Sequence, residues 1–205
     1  MTGGTTRGAR NLREERQTGT PVTTTIKARQ RRRKLHRGVA YVVIAGGWAA
    51  AISVSTLLVP PPWLHTLALF AHLASLIVGF GAVLMVDWYA LLWVTEWRTV
   101  RDLRQVDLTL KPPIWVGIIG LLVSGALLQP DLGSPPTLVK LGAVLVLSLN
   151  GVAITRWTVH LARFPRKTRF SSLPRAARMR FITSAAISQV AWWTAVVIGM
   201  LNSTS

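Results

Sequence analysis

An ionisable side chain inside a long apolar run is the first chemical feature of this chain. His72 lies within Leu64–Val86, a stretch without Asp, Glu, Lys or Arg. Such groups are costly in hydrocarbon unless they face protein or water, so they mark ligand, ion or proton sites. His72 is therefore the candidate cofactor-binding residue. At 1.5 Å per residue it lies about 12 Å below the Leu64 boundary. Ser53 and Ser124 fall in the same layer. Asn150 and Gln189 fall in a second layer, about 12 Å from the opposite boundary. The plainer reading of these polar residues is interhelical hydrogen bonding, worth under ~2 kcal/mol per pair. For Asn150 and Gln189 it is the preferred one.

Three further residues complete the candidate set. Asp87 follows the apolar run and suits either a proton or cation relay, or an ion pair with a nearby arginine. Lys140, three residues into an apolar segment, can snorkel to the surface, hold an anionic headgroup, or pair with Asp131. His65, seven residues before His72, shares its helical face.

Haem is the cofactor to test, because axial histidines at matching depth on facing helices hold one iron. The four histidines are His36, His65, His72 and His160. No two on different helices match in depth, so a bis-histidine site would need His72 from each of two copies. Copper or zinc at His65 is a weak signal. The chain has no cysteine, which removes disulfides and thiolate chemistry. No H-E-x-x-H, G-x-S-x-G, Walker or nucleotide-binding motif occurs, no catalytic residue is assigned, and an enzyme is not the favoured reading.

The elements that must position these residues come in long apolar blocks. The chain has 205 residues, half of them hydrophobic, with a mean hydropathy of +0.39. Blocks of that length separated by charged segments indicate an all-α protein with several membrane spans. Five spans are expected: 38–59, 64–94, 114–128, 137–157 and 181–201, within a transmembrane domain at 38–201. Prolines at 60–62, 112–113 and 130 bound them. The third, 114–128, covers only about 22 Å of a roughly 30 Å hydrocarbon core, so a re-entrant loop is the alternative. Residues 1–37 read as a disordered, basic cytoplasmic tail and 202–205 as a short polar tail.

Charge sets the expected direction. The net charge of +17 could suggest nucleic acid, but the charges lie between apolar blocks and argue for topology. Segments 1–37, 94–113 and 156–180 carry 11, 4 and 8 of the 24 Lys and Arg residues, leaving only Lys140. By the positive-inside rule all three are cytoplasmic, with the N-terminus inside and the C-terminus periplasmic or extracellular. The same segments are placed to contact anionic lipids. Trp63 would mark the outer interface, and Trp93, Trp97, Trp115 and Trp157 the inner one. Residues 162–180, with no acidic residue, read equally as an interfacial strip or a solvated loop.

Spacing also predicts which helices meet. Ala71, Ser75 and Gly79 make a small-residue edge on the second span, and Gly117, Gly120 and Ser124 make one on the third. Such edges let helices approach closely, so these two spans should pack together.

Three patterns, HLASLIVGFGAVLMVD at 72–87, VKLGAVLVLSLNG at 139–151 and ISQVAWWTAVVIG at 187–199, resemble a group of uncharacterised bacterial multi-span membrane proteins. The shared positions would be His72, Gly79, Gly81 and Asp87, then Lys140, Asn150 and Gly151, then Trp192 and Trp193. Gln189-Val190-Ala191 departs from the pattern ahead of the tryptophans. The resemblance implies a bacterial inner-membrane location and brings no activity with it. The reading is thus a multi-pass inner-membrane protein, a non-enzymatic subunit or small-ligand binder with a polar layer around His72. A membrane partner or a homodimer would suit it. The alternatives are a haem- or quinone-associated redox subunit, and a small transporter or ion pathway along the His72–Asp87 face.

Overall fold

The computed structural model describes residues 21–161, 165 and 168–204. Among these there are five helices and no strand: α1 (Pro21–Leu57), α2 (Pro62–Val94), α3 (Val100–Leu127), α4 (Pro135–Leu161) and α5 (Arg175–Thr204). A single 3-10 turn, Phe170–Ser172, precedes α5. Each helix holds a stretch long and apolar enough to cross a membrane; the shortest, Gly38–Leu57, has 20 residues. That is about 30 Å of helix, one hydrocarbon thickness.

The chain divides into two units, residues 1–42 and 43–205. The described part of the first is the beginning of α1. This helix starts at Pro21, inside the segment expected as tail, and residues 1–20 lie outside the described residues. The site lies wholly in the second unit, where prolines and caps set the boundaries. Pro60–Pro62 separates α1 from α2, with Pro61 extended at φ −65° and Pro62 opening the helix, where a missing N–H costs little. The Leu58 carbonyl beyond α1 accepts a bond from Gln129 Nε2 at 2.8 Å. α2 ends in a Schellman arrangement: Trp97 N–H bonds Leu92 O at 2.9 Å and Glu96 N–H bonds Trp93 O at 3.0 Å. Glu96 takes the left-handed conformation, φ 63°, that this ending requires.

The third span departs from expectation. α3 begins at Val100, not at Ile114, and carries Pro112 and Pro113 inside it. Its start is fixed by Asp102, whose carboxylate accepts from Thr99 N–H at 3.0 Å and Thr99 Oγ1 at 2.9 Å. The prolines deprive the carbonyls of Leu108 and Thr109 of helical donors, but those residues are exposed, where other donors can serve. With 28 residues the helix is about 42 Å long and continuous, so it is no re-entrant loop.

Two clusters hold the second unit together. One lies at the end of α2: Ala90 and Trp93 pack with Val100, Leu103, Phe170 and Leu173. Trp93 meets Phe170 and Phe181 edge-on, with centroids 5.1 and 5.6 Å away, and its indole donates to Thr168 O at 3.1 Å. Trp93 is fully buried, so it is core and not an interfacial belt residue; Trp63 and Trp97 stay exposed, and the Trp157 side chain lies outside the described residues. Phe170 and Leu173, expected in an interfacial strip or a solvated loop, are likewise core. The second cluster joins α2 to α5 through Val83, Ile118, Leu147, Ala191 and Trp192. Outward, large apolar residues such as Phe70, Ile77 and Val190 are 67–74% exposed, a surface suited to a lipid bilayer.

Candidate functional site

The small-residue edges bring α2 and α3 into backbone contact. A Cβ placed on Gly79 would stand 3.1 Å from Gly117 Cα, and one on Gly120 would overlap Ser75. One turn further from Asp87, His72 Nδ1 and Ser124 Oγ are 3.0 Å apart, and Ser124 donates to Gly120 O. With the hydroxyl proton on that carbonyl, Nδ1 carries the hydrogen towards Ser124, a tautomer assigned from the network. His72 Cε1 presses against α3, 3.4 Å from where a Cβ on Gly125 would sit. His72 is thereby packed as a helix-joining residue. Ser124 engages Nδ1 and Gly125 lies against Cε1. Among the described residues no group of three His, Asp or Glu side chains is placed to hold a metal.

Of the remaining predicted residues, Lys140 stays near enough to His72 for their charges to interact, and the others lie elsewhere. His65 is exposed, and Ser53 bonds Ala49 O on its own helix. Lys140, half-buried on α4, lies against Gly199 of α5, with Nζ 3.7 Å from that residue's Cβ position. It does not pair with Asp131, whose Oδ1 instead accepts from Gly133 N–H at 2.9 Å in a local turn. Asn150 and Gln189 do not share a bond. Asn150 donates to Ser184 O and accepts from Ser184 Oγ, both at 2.8 Å, joining α4 to α5. Gln189 donates to Asp87 Oδ2, joining α5 to α2, and accepts from Trp193 Nε1 at 3.1 Å. Asp87 thus takes an amide donor and not the expected arginine.

Asp87 opens onto something the sequence did not reveal. Between α2, α3, α4 and α5 lies a cavity of about 80 Å³. Its polar lining is Asp87, Asn150, Ser188 and the Asp107–Lys111 ion pair, closed at 3.0 Å. Trp115 and Trp192 supply aromatic wall, and Val83, Ile118 and Leu147 aliphatic wall. Trp115 is held over Gly151, with Cζ2 3.5 Å from that residue's Cβ position. Trp192 is 1% exposed and stacks on Phe80 at 5.3 Å. Its indole N–H is the buried side-chain donor left without a partner among the described residues. A dry orphan donor of this kind costs about 1–3 kcal/mol.

The centre of polar interest therefore moves from His72 to the Asp87 end of α2. The two residues are 15 positions apart, about 22 Å along the helix, and the Gly79–Gly117 contact closes the α2–α3 interface between them. Sequence reading gave no site role to Asp107, Lys111, Trp115 or Ser188, and placed Trp115 only at the membrane interface. A signal existed for the first three, since Asp107, Lys111 and Trp115 recur at four-residue spacing on one face of α3.

Compared with known protein families, curated proteins and solved structures, the chain matches none.

Proposed function

We propose that this chain is a multi-pass protein of the bacterial inner membrane, without catalysis of its own, that binds a small ligand inside its helix bundle. Five helices of membrane-spanning length and composition support the first part. The distribution of Lys and Arg supports a cytoplasmic N-terminus, a C-terminus on the far side, and contact of the basic segments with anionic lipid. On that orientation the cavity lies towards the cytoplasmic face.

The observation that carries the ligand-binding part is the cavity itself. It combines a mainly apolar wall with a few convergent polar groups, the usual make-up of a small-molecule site. At about 80 Å³ it has several times the ~10–15 Å³ that one water needs. The absence of native cysteine makes a direct test possible. A single thiol introduced by Ser188→Cys should react with the small reagent methyl methanethiosulfonate. A thiol there that stays unreactive in the folded protein would contradict ligand access.

A further inference from the structure

We infer that Lys140 holds a phosphate-bearing anion, of the kind a phospholipid headgroup offers, at the end of the bundle away from the Asp87 cavity. None of the residues involved lines that cavity. Lys140 stands in the membrane-spanning part of α4, about 7.5 Å along the helix from its start at Pro135. An ammonium at such a depth has three ordinary fates. It snorkels to the surface, pairs with a carboxylate of its own chain, or meets an anion from outside. The register of α4 against α5 removes the first. Thr137 Oγ1 accepts from Asn202 Nδ2 at 3.3 Å, and one turn further in Lys140 meets Gly199. Lys140 Nζ and Cε lie 3.7 and 4.0 Å from the Gly199 Cβ position. The side chain therefore runs across the seam at its own level and does not climb towards Thr137 and the helix end.

The placement of the acids closes the second fate. Asp87, Glu96, Asp102 and Asp107 lie towards the end of α2 and the start of α3, at the opposite end of the bundle, and Asp131 accepts within its own turn. The first turn of α4 carries no acidic residue. The two ion pairs among the described residues are Lys111–Asp107 and Arg169–Glu96. His72 lies within electrostatic range of Lys140 and can add only positive charge. An anion from outside is what remains, and the way to it is open. Lys140 Nζ has no hydrogen-bond partner among the described residues, yet the one unpartnered side-chain atom sealed there is Trp192 Nε1. The ammonium thus keeps reachable surface, with three donors and a point charge of the kind that binds phosphate. Leu138 and Val139 on α4 and Val197 on α5, 49–54% exposed, put apolar surface beside it, which fits acyl chains attached to that phosphate.

Reactivity of the amine itself tests this. The full-length protein in maltoside detergent would be treated with sulfosuccinimidyl acetate, and acetylation of Lys140 followed by peptide mass spectrometry. Phosphatidylglycerol at about ten times its Kd should slow that acetylation about tenfold, by mass action on the free amine. Diacylglycerol, which lacks the phosphate, should leave the rate unchanged. Inorganic phosphate is the third addition. Protection by phosphatidylglycerol alone identifies a lipid headgroup as the source of the anion, and protection by inorganic phosphate as well identifies a site that also takes free phosphate. In native mass spectra, Lys140→Gln should lose one tightly held phosphatidylglycerol per protein, and Lys140→Arg should retain it. Equal protection by diacylglycerol would mean apolar cover alone and would overturn the assignment. So would an amine that stays unreactive without lipid, or one that neither phosphatidylglycerol nor phosphate protects. Identical lipid retention by the parent and Lys140→Gln would overturn it too.

Discussion

Gly79 of α2 and Gly117 of α3 meet backbone against backbone, with no room for a side chain on Gly117 and a tight 3.1 Å at a Cβ on Gly79. The contact is the tightest constraint on the site, because it sets the separation of the two helices from which Asp87 and Lys111 extend. Gly117→Ala should destabilise the protein by about 1–3 kcal/mol through overpacking, read as a lowered unfolding temperature in detergent. Gly81→Ala, whose Cβ position is open, is the matched control and should be neutral or slightly stabilising. Equal effects at the two glycines would refute the close approach.

The His72–Ser124 contact is structural in this account. Ser124→Ala should cost roughly 1 kcal/mol, and a double-mutant cycle with His72→Ala should give a coupling under ~2 kcal/mol. Neither change should alter the reactivity of a Ser188→Cys thiol in the cavity, since neither residue lines it. A loss of that reactivity in Ser124→Ala would tie the cavity to His72.

Gln189 has a different part, because its amide is the donor that holds Asp87. Gln189→Leu should leave that carboxylate short of a partner and cost about 1–3 kcal/mol. Trp193→Phe removes an exposed donor to Gln189 and trims the ring that meets Phe80 edge-on at 5.2 Å, and should cost no more than about 1 kcal/mol by the same thermal assay.

How far the sequence foretold this arrangement depends on the range of the interaction. The α2–α3 contact was legible, because small residues four apart lie on one face of a helix whatever surrounds it. The start of α3 was misread because the Pro112-Pro113 pair looked like a boundary, although Thr99-x-x-Asp102 carries the capping signal at the true start. The burial of Trp93 and the orphaned Trp192 N–H were not legible. Each depends on residues 75 or more positions away in sequence, or on where several helices leave a gap. Of the three readings open for Lys140, opposite charge and nearness suggested the pairing with Asp131, but Asp131 accepts within its own turn.

Orientation is open to a separate test. A periplasm-active reporter fused after Ser205 should be active, and one inserted in the 165–175 segment inactive. The reverse pattern would contradict the direction inferred from charge.

The most direct measurement for the central claim compares two single-cysteine variants of this otherwise cysteine-free chain in native membranes. Ser188 lines the cavity, whereas Ser148 is 2% exposed and does not. Methyl methanethiosulfonate should modify Ser188→Cys about tenfold or more faster than Ser148→Cys, since a thiol must be reached to react. Equal, slow modification of the two would mean that the cavity admits no small molecule, and the ligand-binding account would be wrong.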